Sequence, residues 1–194
     1  MSNLLALDVA IVPPPKVRER AVQLSAALLG DPAHYLTLDE EHLPHVTLTQ
    51  HFIRADELDA AFERIDAVLR KQRPIALRVT GGSRTANSVW MAIDKARPHT
   101  DLHARLMEAL RGFERSGGGP AAFVDGDVRV NDVTWVSGYR FKSSFGAFTP
   151  HITLGYADRP PHIDPFEFKA TTVAACHLGR FCSCRRVLRS WELV

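Results

Sequence analysis

Pro44–Leu48 reads PHVTL, and Pro150–Leu154 reads PHITL, more than a hundred residues further on. Each copy sets a histidine and a threonine two apart in an apolar run behind a proline. Side chains two apart on a strand point to the same face. His45 and Thr47 therefore project together, as do His151 and Thr153, while Val46, Leu48, Ile152 and Leu154 face the other way and pack. Each copy is a rail holding one imidazole and one hydroxyl, and two rails face to face make a cleft with two of each. A lone His-x-Ser/Thr arises about once by chance in a chain with nine histidines. The signal is the doubled pentapeptide, with one copy in each half of the chain.

Around the two copies the hydrophobic pattern alternates between strands and helices. NLLALDVAIV predicts a strand over Leu4–Val12, stopped by three prolines. KVRERAVQLSAALLG predicts an amphipathic helix with Val17, Val22, Leu24 and Leu28 inward and Gly30 as its stop. HYLTL reads as a short strand and HVTLTQHFI as the next one. DELDAAFERIDAVLRKQ is a helix with Leu58, Phe62, Ile65 and Leu69 on one stripe. PIALRVTG and SVWMAID are strands joined by a turn at GGSRTAN. RPHTDLHARLMEALRGF is a helix with Leu102, Leu106, Met107 and Leu110 inward, and ERSGGGP reads as a flexible linker. From Ala121 to Ala147 the pattern is least legible, and VTWVSGY suggests a strand followed by a long loop. HITLGYA is a strand. FEFKATTVAACHLG and CSCRRVLRSWELV form a final antiparallel pair turning near Gly179 and Arg180. The expected class is α+β with an approximate internal duplication.

Composition narrows the function. At 194 residues, 45% hydrophobic and 24% charged, the chain suits one compact domain or two small, closely packed lobes, with a sizeable core. A formal charge of +2 gives no footprint for gripping long nucleic acid, but leaves nucleotides and RNA ends open. The first residues, with Asp8 inside the apolar run, fit a strand better than a signal peptide or membrane span. Cys176, Cys182 and Cys184 are odd in number and clustered, which argues against a disulfide framework and for a reducing, cytoplasmic setting. No membrane and no obligate protein partner is expected.

Two imidazoles facing one space suit in-line displacement at phosphorus. Imidazole titrates near neutral pH, so one ring can be neutral while the other is protonated. The neutral ring takes a proton from the attacking water and the other gives one to the departing oxygen, each role contributing about 10²–10⁴ in rate. The threonine hydroxyls can donate to the non-bridging phosphoryl oxygens. This scheme calls for no metal and no other cofactor.

The doubled motif, the opening strand ending in prolines with its helix, and the helix after the first motif together resemble the 2H phosphoesterase superfamily, which includes the LigT-like 2′-5′ RNA ligase and cyclic phosphodiesterase proteins. The resemblance covers most of the chain outside Glu114–Ala147. It implies a single 1–194 domain, a bilobal, pseudo-twofold α+β fold with approximate lobes 1–95 and 96–194. In it, antiparallel sheets line a central groove and helices lie outside. It places the catalytic histidines on His45 and His151 and the phosphate-binding hydroxyls on Thr47 and Thr153. The implied substrates are a nucleotide or RNA end bearing a 2′,3′-cyclic phosphate, or a 2′-5′ phosphodiester. Several LigT-like members carry an arginine soon after the second motif, where this chain has Gly155 and Tyr156. Tyr156 can stack on a base or bond a phosphate, and Lys142 is the nearest upstream cation. Phe52 and Phe148, each close to a motif, are candidates for a groove wall that stacks a base, with core packing the alternative reading for at least one of them.

Two rival classes follow from the same residues. A non-catalytic module could hold an RNA end or a cyclic phosphate with the same four side chains. A metal-dependent hydrolase could use His42, His45 and His51, or the i, i+4 pair His99 and His103, although Thr100 stands where HExxH needs glutamate. CHLGRFCSC lacks the usual paired-knuckle spacing, and strand parity puts Cys182 and Cys184 on one face. ATP-dependent ligation finds no phosphate loop, since GGSRT lacks the lysine.

Overall fold

The two histidine-bearing strands lie at the edges of two separate four-stranded antiparallel sheets. A computed structural model describes residues 3–28, 35–86 and 88–194. The first sheet holds β1 (Leu4–Val12), β2 (Val46–Arg54), β7 (Thr172–Leu178) and β8 (Cys184–Glu192) in the order β2-β1-β7-β8. The second holds β3 (Ile75–Thr85), β4 (Ser88–Ile93), β5 (His151–Tyr156) and β6 (Phe166–Ala170) in the order β5-β4-β3-β6. Each sheet takes strands from both sides of residue 95. The helices are α1 (Pro15–Ala26), α2 (Leu58–Leu69), α3 (Arg97–Ala109) and α4 (Val130–Lys142). The architecture is thus the expected α+β fold. Among the described residues no helix is long and apolar enough to cross a membrane.

Local chemistry explains most elements. Pro15 opens α1, where its missing N–H is no loss. In α2 the buried stripe is Ala61, Phe62, Ile65 and Leu69, and in α3 it includes Leu102, Leu106 and Met107. β3 alternates buried Ile75, Leu77 and Val79 with exposed Ala76, Arg78 and Thr80. One core runs through both sheets, joining Leu7, Val9 and Ile11 to Leu77, Met91, Ile152 and Leu154. A second, smaller one lies on the other face of the first sheet, where Ala6, Ala10, Phe52 and Cys176 meet Phe123 and Val136.

Several expectations are corrected. VTWVSGY lies in α4 rather than in a strand. The Asp132 carboxylate accepts the Arg129 N–H at 3.0 Å to start the helix, and Asp132, Val136 and Tyr139 bury one side of it. The β-branched run hides this signal, because the outer face is itself apolar, with Phe141 87% exposed. ERSGGGP is not a free linker. The Arg115 N–H donates to the Phe52 carbonyl, its guanidinium pairs with Glu57, and Gly118 lies against the Phe52 ring, where a Cβ would fall 2.4 Å from it. β3 runs on through Gly81–Thr85, and Ala86, at φ +51°, is the described turn residue that follows it. FEFKATTVAACHLG is two strands in different sheets, separated at Thr171. Cys182 lies in the turn before β8, so it shares no strand face with Cys184. Tyr35–Leu38 form no strand, although Leu36 and Leu38 are buried. On α1, Val22 and Leu24 are only half-buried beside Val17 and Ala21, and Leu28, half-buried too, lies beyond the helix end. Gly30, His34 and Asn87 lie outside the described residues.

Both motif strands carry a β-bulge at the same place. Thr49 pairs with Val9 and Thr47 with Ala10, which leaves Leu48 as the extra residue. Gly155 pairs with Val89 and Thr153 with Trp90, which leaves Leu154 extra. A bulge shifts side-chain parity by one. Gln50 therefore joins Thr47 on the cleft face, and Tyr156 joins Thr153.

This packing can be tested at Gly155 and at His51. Gly155 has φ +146°, and a Cβ on it would meet the Leu36 carbonyl at 2.8 Å. Gly155→Ala is therefore expected to destabilise by about 1–3 kcal/mol in urea unfolding; an unchanged midpoint would count against this packing. His51 is buried on the core side of β2, and burial holds its imidazole at about 4, below the ordinary 6.5. Because the folded-state value is depressed, the stability it contributes is complete above pH 6.5 and is lost as pH falls toward 4. The loss should reach about 3 kcal/mol and disappear in His51→Leu. The same acid-side slope in that variant would assign it elsewhere.

Candidate active site

His45 precedes β2 and His151 opens β5, and both rings are fixed in the same way. Nδ1 of His45 lies 2.7 Å from the Leu43 carbonyl, and Nδ1 of His151 lies 2.8 Å from the Thr149 carbonyl. A carbonyl only accepts, so Nδ1 carries the proton in each ring and Nε2 is left without one, as the ring's open acceptor. In each case the acceptor is two residues upstream, across the motif's buried proline. The proline fixes φ and gives up no ladder donor. Along both strands the pattern holds: His45, Thr47, His151 and Thr153 are half-buried, while Val46, Leu48, Ile152 and Leu154 are buried.

The surroundings of the two rings differ. Asp8, fully buried at the middle of β1, sets Oδ2 3.6 Å from Nε2 of His45. The Thr47 hydroxyl donates to that oxygen at 2.8 Å and the Gln50 amide at 2.7 Å. Burial raises the Asp8 carboxyl above its ordinary value, opposed by the His45 charge and by the Gln50 and Thr47 hydrogen bonds. His151 has no such carboxylate among the described residues. Its ring tilts against Trp90 at 5.1 Å, and burial lowers its affinity for a proton; the Thr149 bond opposes this, and charge on His45 adds to it. The effect of His45 on His151 places the two rings in one electrostatic neighbourhood.

Tyr156 closes one end of the second rail. Its hydroxyl accepts from Nη2 of Arg129 at 3.1 Å, and its ring lies 5.7 Å from both Tyr35 and Phe181. Arg129 also stacks over Phe181 at 4.1 Å and pairs with buried Asp132 at 2.6 Å. The cation beside the second motif is thus Arg129, presented by the start of α4. Lys142 lies exposed at the other end of that helix, about 20 Å away at 1.5 Å per residue. Phe52 and Phe148 are corrected to core residues, 1% and 2% exposed. Phe52 meets Phe123 edge-on, and Phe148 stacks on His103 at 4.0 Å.

Neither expected histidine grouping forms a ligand set. His42 bonds Asp39, and His51 faces the core. The Ala96 N–H donates to Nε2 of His99. His103 donates from Nδ1 to the Leu48 carbonyl, and its Nε2 accepts the Phe145 N–H at 2.8 Å. Among the described residues, one trio of metal-binding type stands together: Asp8, His45 and Cys184. Sequence reasoning missed Asp8, Gln50, Trp90 and Arg129. Asp8 alone left a mark there, as a charge inside an apolar strand.

Comparison with solved structures shows the fold. The TT0787 protein of Thermus thermophilus superposes with a TM-score of 0.63 at 18% identity, covering 97% of this chain and 98% of that one. E. coli LigT complexed with 3′-AMP gives 0.62 at 19% identity, covering 98% and 99%. A protein described as a phosphoesterase gives 0.62 at 19%, covering 98% and 99%. No curated protein matches the sequence. The sequence profile of the 2′-5′ RNA ligase superfamily matches residues 13–181, most of the chain and both motifs. That membership supports an enzyme of phosphoesterase or ligase type. The chain belongs to the 2′-5′ RNA ligase superfamily, and it shares its fold with LigT.

Proposed function

We propose that this protein hydrolyses a 2′,3′-cyclic phosphate on a nucleotide or RNA end, or a 2′-5′ phosphodiester, by acid–base catalysis between two histidines and without a metal. The observation that carries this reading is the matched anchoring of His45 and His151 through Nδ1, which leaves both Nε2 atoms for proton transfer. The complex of the related E. coli LigT with 3′-AMP supports a nucleotide-like substrate. Three free cysteines support a reducing, cytoplasmic setting.

The asymmetry around the rings supports a division of roles between them. His151, whose burial disfavours the charged form, is the base that takes a proton from water. The water oxygen bonds to phosphorus as the bond to one ribose oxygen breaks. His45, with Asp8 as counter-charge, is the acid that protonates the departing oxygen. Thr153 is free to donate to a non-bridging oxygen, because among the described residues its hydroxyl makes no hydrogen bond. Thr47 already spends its proton on Asp8, so it holds phosphate only when that bond is exchanged.

Hydrolysis of the four 2′,3′-cyclic nucleotides in excess EDTA tests the reading. Turnover should survive EDTA and fall by about 10²–10⁴ in His45→Ala and in His151→Ala. Tight binding without turnover of any cyclic or 2′-5′ linked substrate would instead make this a binding module. The profile of kcat/KM against pH should be bell-shaped. Its acid limb should lie below the ordinary imidazole value, because His151 must be neutral and burial lowers its proton affinity. A flat profile would sink the mechanism.

The two threonines should separate cleanly. Thr153→Val is expected to lower kcat about 100-fold with unaltered unfolding. Thr47→Val is expected to cost about 1–3 kcal/mol of stability as well, since buried Asp8 loses a donor. Equal stability losses in the two variants would contradict this division.

A further inference from the structure

The Asp8, His45 and Cys184 donor atoms lie within 4.8 Å of one another. His45 Nε2 and Asp8 Oδ2 are 3.6 Å apart. Tetrahedral zinc with bonds of about 2.0–2.3 Å sets its ligand atoms about 3.5 Å apart, so a small contraction brings the trio onto one ion. We propose that these three residues form a binding site for a borderline-soft divalent cation of the zinc class, and that its occupancy inhibits the enzyme. The inhibition rests on the acid–base role given to His45; the binding does not.

The supporting groups are those a metal site needs. The other nitrogen of His45 donates to the Leu43 carbonyl, which fixes the tautomer and points Nε2 away from it. Asp8 Oδ2 is held by Thr47 and Gln50, while its Oδ1 is buried and accepts no hydrogen bond among the described residues. Cys184 is tied to the same loop, because the Leu43 N–H donates to the Cys184 carbonyl at 3.1 Å. One backbone bridge thus registers the thiol against the imidazole. Asp8 and Cys184 are 0% and 2% exposed, and the His45 side chain keeps 13%. The protein therefore offers three ligands, and any further position is reached from the His45 side.

The donor set also balances charge and class. A carboxylate and a thiolate neutralise a divalent cation, and mixed O, N and S donors suit zinc better than magnesium or calcium. On binding, the Cys184 S–H bond is replaced by S–metal and the proton leaves to solvent. The same ion takes the Nε2 lone pair of His45, and a metallated nitrogen carries no proton to a departing oxygen.

Cobalt(II) titration of the full chain, freed of metal with EDTA and desalted, tests binding without reference to activity. The expected result is a thiolate-to-cobalt charge-transfer band saturating at one ion per chain. It should be lost in Cys184→Ser and retained in Cys182→Ser, with zinc affinity at least about 100-fold weaker in Cys184→Ser. Zinc should also inhibit cyclic-phosphate hydrolysis by the wild type, and Cys184→Ser should keep its basal turnover while losing that inhibition. Absence of the band in the wild type, or its persistence in Cys184→Ser, would overturn the site. Activation by zinc, or equal inhibition of both proteins, would overturn the inhibitory role. A chain that binds cobalt through Cys184 but turns over no phosphodiester would retain the site and refute the hydrolase reading.

Discussion

Each motif strand has one residue more than its neighbour can pair, and the active face of the molecule depends on that excess. Without the bulge at Leu48, strict alternation would turn Gln50 into the core and leave Asp8 with Thr47 as its only donor. Without the one at Leu154, Tyr156 would point away from Arg129. The bulge also leaves the Leu48 carbonyl outside the ladder, and His103 takes it up. The other nitrogen of His103 receives the N–H of Phe145, in the segment that leads into the second motif. A helix histidine between the sheets thus sets one rail against the other. Its Nε2 accepts an N–H, so the ring is neutral and donates at the other nitrogen, and burial favours that form.

The two rails are alike in backbone and unlike in environment. Pro44 and Pro150 are both buried, and both rings lean on the carbonyl two residues back. The difference comes from what crosses the sheet beside each rail. The first rail borders β1, whose central residue is a carboxylate. The second borders β4, which offers Trp90 in register with Thr153. α4 adds to the inequality by covering the cleft-side face of the first sheet, where Val136 packs with Ala6, Ala10 and Phe52.

The motifs, the class and most helices were legible because each rests on local periodicity or on one pentapeptide. His45 with Thr47, and His151 with Thr153, needed only the two-residue repeat of a strand. What stayed hidden depends on partners distant in sequence. Phe52 and Phe148 look like groove walls until Gly118 and His103 are seen against their rings. Arg129 reaches Tyr156 only because α4 forms, and the outward apolar residues of α4 mask its amphipathic pattern. Bulges leave no mark in composition, so the cleft-side placement of Gln50 and Tyr156 was unreadable. Asp8 was visible as an anomaly, but its meaning required its neighbours on β2 and β8.

That anomaly bears on how the duplicated site would do the unsymmetrical chemistry proposed for it. A carboxylate in the middle of a central strand is costly to bury, and two donors on Oδ2, with none on Oδ1 among the described residues, offset the cost only in part. A valine or leucine there would extend the small core around Ala6, Ala10 and Cys176 and would favour the fold. Local rules broken at a stability cost tend to mark function. Two identical imidazoles would have no reason to divide the labour, since either could hold the proton. Asp8 removes that degeneracy by placing negative charge beside one Nε2, and no described carboxylate does so for the other. The same charge, with the Cys184 thiol nearby, also makes that nitrogen the more attractive of the two to a metal ion.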